Sequence, residues 1–149
     1  MRAPGTLVMA AGLVAGVLGA RPAAAAGCTI ASVTPIDFGV YDVSAATPLD
    51  ATGELGITCD GETPVRISLG RGLAGRQSPR ELRYRASSLS YDIFLDAAHS
   101  AVWGDGTGAT RLFLGLVPSG RTLRIPMFAR LYPRQVVPAG TYTDRIVVS

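Results

Sequence analysis

Gly140-Thr-Tyr-Thr-Asp-Arg-Ile-Val-Val-Ser149 leaves a Pro138-Ala-Gly140 turn and then alternates to its end, with Tyr142, Ile146 and Val148 on one face. Period-two alternation of aromatic and β-branched residues predicts a half-buried strand. A strand in this place is expected either at a sheet edge or under cover supplied from elsewhere. One class of secreted β-domains leaves such an edge open so that a partner's strand completes the sheet.

The runs upstream carry the same period. Leu123, Ile125, Met127, Ala129 and Leu131 alternate with Thr122, Arg124, Pro126, Phe128 and Arg130. Leu89, Tyr91, Ile93 and Leu95 alternate with Ser90, Asp92, Phe94 and Asp96, and Val65, Ile67 and Leu69 alternate with Arg66 and Ser68. Leu55, Ile57 and Cys59 do the same, and Ile36, Phe38 and Val40 fall on one side after the break at Pro35. No segment sustains a helical period. Each run buries one face and wets the other, as the strands of an antiparallel sandwich do. Gly70-Arg-Gly72, Gly104-Asp-Gly106-Thr-Gly108, Pro118-Ser-Gly120 and Pro138-Ala-Gly140 mark turns between them. Pro126 cannot donate to a ladder, which predicts an edge position or a bulge.

The reading is all-β, with about six main strands and shorter pieces near Leu82–Tyr84 and Leu112–Leu114. An immunoglobulin-like sandwich has at least seven strands. The expected architecture is therefore an incomplete immunoglobulin-like β-sandwich, one strand short.

Residues 1–26 read as a signal peptide, with Arg2 as the charged start, an apolar stretch from Leu7 to Ala20 and small residues at Ala24-Ala25-Ala26. The expected mature domain is 27–149, with no second apolar stretch long enough to cross a bilayer. The chain has 14 basic and 11 acidic residues. Arg2 and Arg21 fall in the leader, so the mature balance is near neutral and no nucleic-acid partner is expected. Arg71, Arg76, Arg80, Arg83 and Arg85 surround Gly72, Gly75, Ser78 and Pro79, which reads as a solvated loop without aromatic residues for base stacking.

Two cysteines, Cys28 and Cys59, remain after the leader. An even count in an exported chain points to a pair, and closing that loop contributes about 3–4 kcal/mol by the chain-entropy estimate. Neither a metal site nor a cofactor is expected, because two thiols and the single His99 supply too few ligands. The chain is not expected to be an enzyme. His99 lies in a turn, Asp92 and Asp96 read as a solvated strand face, and Asp105 sits in a glycine turn. Trp103, Phe94, Phe128 and Tyr132 read either as residues that stack on a sugar or as packing beneath loops.

Several motifs then follow one another in a family order. They are Cys28-Thr-Ile30, Asp37-Phe-Gly-Val-Tyr41, Gly53-Glu-Leu-Gly-Ile-Thr-Cys59, Leu89-Ser-Tyr-Asp-Ile-Phe-Leu-Asp96, Val102-Trp-Gly-Asp-Gly-Thr107 and Ala139-Gly-Thr-Tyr-Thr-Asp144. The set resembles the spore coat protein U domain family, which includes subunits of archaic (Csu-type) chaperone–usher pili. The resemblance implies a Cys28–Cys59 disulfide between the first two strands. It also implies a hydrophobic groove between the first and last strands, with Ile30, Ile36, Phe38, Tyr142, Ile146 and Val148 as its candidate residues. The implied partners are a periplasmic pilus chaperone, an outer-membrane usher and neighbouring pilus subunits.

The function implied is a structural or adhesive surface subunit assembled by donor-strand complementation, in a pilus or a spore or cell-surface coat, with biofilm attachment as its setting. The implied location is the periplasm in transit and then the cell surface. Polymerising relatives carry an alternating donor stretch ahead of the first cysteine. Here Arg21-Pro-Ala-Ala-Ala-Ala-Gly27 lacks branched apolar pegs. The alternative expectation is accordingly a glycan- or surface-binding tip adhesin domain that accepts a strand without giving one.

Overall fold

The computed structural model describes residues 27–149; the leader expected over residues 1–26 lies outside the described residues. Seven strands occur in chain order: β1 (Cys28–Thr34), β2 (Leu49–Cys59), β3 (Thr63–Ile67), β4 (Arg80–Tyr84), β5 (Ser87–Phe94), β6 (Phe113–Val117) and β7 (Thr122–Leu131). Five form one antiparallel sheet in the order β1-β2-β7-β5-β4, and β3 and β6 pair as a second, two-stranded sheet. Among the described residues there is no helix.

The alternating residues do what their period requires. Leu55 and Ile57 of β2, Leu89, Tyr91 and Ile93 of β5, and Ile125, Met127, Ala129 and Leu131 of β7 form one inner face. Ile67 of β3 and Val117 of β6 pack down from the small sheet, with Trp103 between. β2 and β7 run in register from Leu49↔Leu131 to Thr58↔Thr122, which makes them the spine of the large sheet. Pro126 is consistent with that position. β5 pairs only with residues 128–131 of β7, so one side of the strand is unpaired where the proline sits.

Cys28 and Cys59 are directly opposed at the end of the β1–β2 ladder and joined by a disulfide. β1 is an edge strand, exposed throughout. Ile30 and Val33 are 49% and 55% exposed, although they stand opposite the buried Ile57 and Leu55. The inner face of β1 therefore has nothing packed over it.

Three local expectations change. The pieces near residues 82–84 and 112–114 are full strands, β4 and β6. Ile36 and Phe38 turn inward but Val40, expected on the same side, is 94% exposed, and the segment 36–40 pairs with no strand and runs irregularly. The run 140–149 is extended but not a continuous strand. Thr143 bridges Arg83 of β4, whereas Val148 bridges Leu69 beyond β3. One segment thus crosses from the large sheet to the small one, and no single neighbour can offer it an unbroken ladder.

Candidate functional site

The small sheet covers only part of the large one. Over the remainder lies an apolar groove of about 980 Å³. Its floor is the inner face of the large sheet with Leu55, Leu89, Tyr91, Ile93, Met127 and Leu131. One wall is residues 35–43, which leave β1; the other is residues 137–148.

Both walls have open backbone. In the second wall, Thr143 exchanges two hydrogen bonds with Arg83 (2.7 and 3.1 Å), Gly70 N–H donates to Val147 (2.8 Å), and Ser149 pairs with Ser68. All these bonds lie on the outer side. The alternate residues Tyr142, Ile146 and Val148 make no backbone–backbone hydrogen bond among the described residues. Their side chains pack against the core, while Thr143, Arg145 and Val147 face water. Ile36 and Phe38 of the first wall pack on the same core, with the Phe38 ring edge-on to Tyr91 at 5.9 Å. The result is an apolar channel flanked by unpaired main-chain groups.

Asp144 holds the second wall in place. Its carboxylate accepts from Leu73 N–H (2.7 Å), Arg145 N–H (2.7 Å) and the Tyr91 hydroxyl (2.7 Å). Gly72 has φ +68°, and a Cβ there would collide with that carboxylate, so the close approach of loop and wall requires glycine. Burial, reinforced by the bond to Asp144, pushes the Tyr91 hydroxyl well above its ordinary value near 10. Below about pH 10 both folded and unfolded chains keep this proton. Above it only the unfolded chain releases it, so stability should fall by up to about 1.4 kcal/mol per pH unit from this one group. Denaturant midpoints measured from neutral to alkaline pH should drop, and Tyr91→Phe should shallow that slope; an unchanged slope would refute the assignment.

Of the residues proposed from sequence, Ile36, Phe38, Tyr142, Ile146 and Val148 lie together along this groove. Ile30 does not line it and sits further along β1. The residues read as solvated or turn positions differ more. Asp92 is buried and accepts from Ser78 (2.9 Å) and Tyr132 (2.7 Å). Arg80 is fully buried, and the other four arginines of its cluster do not share that burial. His99 is in its turn at φ 55°, with its ring edge-on to Phe94. Asp96 caps that turn through Ser100 and Ala101. Trp103 and Phe94 are core residues, and the indole donates to the Ile67 carbonyl at 2.9 Å. Asp144 and Val33 were missed; the only sequence signal was the place of Asp144 on the inward side of its alternating run. No three His, Cys, Asp or Glu side chains gather as metal ligands among the described residues.

Comparison with known proteins places this architecture. Residues 14–149 match the Spore Coat Protein U domain. The chain belongs to that family. Protein U of Myxococcus xanthus is 33% identical over 127 residues, an alignment that takes in 76% of this chain and 69% of that protein. Among solved structures, the family fold recurs in a chain of the CsuC-CsuE chaperone-tip adhesion subunit pre-assembly complex from the archaic chaperone-usher Csu pili of Acinetobacter baumannii. That match has a TM-score of 0.59 at 24% identity and covers 84% of this chain. This chain spans 39% of the solved one.

Proposed function

We propose that this Spore Coat Protein U domain is a non-catalytic surface subunit that is completed by an extended strand from a partner and assembled by the chaperone–usher route. The observation that carries the reading is the groove. It has an apolar floor, and one wall presents the unpaired main chain of Tyr142, Ile146 and Val148. A strand laid there would gain main-chain hydrogen bonds from that wall and bury alternate apolar side chains on the floor. Uncovered, the same surface leaves apolar area in water at roughly 25 cal/mol per Å².

The partners that fit are a periplasmic chaperone that lends a strand first and a neighbouring subunit that replaces it at an outer-membrane usher. The product is a pilus or coat on the cell surface. The leader at 1–26 supplies export, and the Cys28–Cys59 disulfide suits an oxidising compartment. Support comes also from the family match and from the fold shared with a chain of a chaperone–subunit complex.

The test is capture of an added alternating apolar peptide by the oxidised domain. Wild type should bind it and gain thermal stability. Ile146→Asp places a carboxylate against an apolar peg and should abolish capture. Arg145→Ala, on the wet face, should leave capture nearly unchanged. Equal loss in both variants, or no capture by wild type, would overturn the reading.

A further inference from the structure

The groove carries charge of one sign. Among its lining residues the ionisable carboxylates are Asp37, Asp42 and Asp144, and no Arg or His lines it. None of the three takes part in an ion pair among the described residues. Elsewhere four acids are paired with arginine, Asp50 with Arg130, Glu54 with Arg124, Glu81 with Arg76 and Arg83, and Asp105 with Arg71, while Asp60, Glu62, Asp92 and Asp96 are not. Asp144 is committed to Leu73, Arg145 and Tyr91, as described. Asp37 and Asp42 are exposed on the opposite wall and bond only within their own turns, to Gly39 N–H (2.8 Å) and to Ser44. The bonds from Ser44 hold the Asp42 carboxyl below its ordinary value, which keeps it charged.

We propose that the strand received by this groove comes from a partner protein in which basic residues alternate with the apolar pegs. The inference rests on the strand-acceptor reading above and adds the charge of the occupant. In a strand whose alternate side chains enter the groove, the intervening ones stay at the rim beside Asp37 and Asp42. Arginine or lysine there meets two carboxylates that lack a counter-ion, whereas glutamate meets like charge. A second copy of this chain is a poorer occupant. Its β6 edge, Phe113-Leu-Gly-Leu-Val117, is uncharged and offers those carboxylates nothing.

Short peptides alternating Val or Leu with Arg, Gln or Glu separate the possibilities. At about 20 mM salt the Arg peptide should bind at least about ten-fold tighter than the Glu peptide, with Gln between, and the gap should close near 0.5 M salt. The double variant D37N/D42N should bring the three together at low salt while keeping capture of the Gln peptide. Equal affinities in wild type at low salt, or a preference for Glu, would overturn the charge inference and leave the groove reading standing. Failure of all three peptides to bind would instead remove the groove reading on which it rests.

Discussion

Replacing Arg80 with methionine should cost roughly 3–5 kcal/mol, because it strips the donors from several buried carbonyls at once. The guanidinium is fully enclosed. It donates to the carbonyls of Gly70 (3.1 Å), Leu69 (3.4 Å) and Trp103 (2.8 Å) and to the Gln77 side chain (3.2 Å). Those groups belong to two loops that are also joined by a backbone bond, Leu69 N–H to the Gly104 carbonyl, and by the Arg71–Asp105 ion pair. Burial lowers the Arg80 pKa, yet an arginine stays protonated at any working pH. Methionine fills comparable volume, so the loss should report the missing hydrogen bonds rather than a cavity. Arg83→Ala, which removes a half-exposed side chain paired with Glu81, should change little. Denaturant midpoints of the oxidised protein measure both; similar midpoints for the two variants would contradict the role given to Arg80.

Trp103→Ala should be of similar size, about 3–5 kcal/mol, since a large buried aromatic is deleted. The indole packs 5.8 Å from the Phe113 ring and hydrogen-bonds Ile67, while its backbone N–H donates to Ile93 (2.8 Å). It therefore ties β3, β5 and β6 together. Trp103→Phe keeps most of the packing and orphans the Ile67 carbonyl, so about 1–3 kcal/mol is expected. This pair also tests the sugar-stacking alternative. A ligand-stacking tryptophan would lose binding on substitution with stability intact. Unchanged thermal stability in Trp103→Ala would favour that alternative.

The contrast between what was legible and what was not lies in the range of the interactions. Leu55-Ile57-Cys59, Leu89-Tyr91-Ile93 and Ile125-Met127-Ala129-Leu131 declare an inner face by period alone, and that face is the core. The all-β class follows from such runs, whereas the strand count does not, since about six main strands are expected and seven form. Nor does pairing. Ile36 and Phe38 point to the core as their period requires, yet their backbone finds no neighbour, because alternation records which side is wet and not who lies beside the strand. Arg80 was read as solvated from its Gly, Ser and Pro neighbours. Its burial depends on carbonyls of residues 69, 70 and 103, which sequence context around position 80 cannot announce. Asp92 differs for the same reason, since its partner Tyr132 is distant in the chain, and the two readings of Trp103 stay open in sequence because its partner Ile67 is equally distant.

The disulfide also sets how this domain carries mechanical load. Cys28 begins β1 and Cys59 ends β2, so the bond closes the ladder at the point where a pull on Gly27 would enter. Tension arriving there bypasses the hydrogen bonds of the exposed edge strand and passes covalently into β2. β2 is held to β7 from Leu49↔Leu131 to Thr58↔Thr122, and a force directed along it loads those pairs together rather than one after another. The exposed edge strand is thereby excused from bearing strain, and reducing the bond would turn a shear-resistant joint into one that peels.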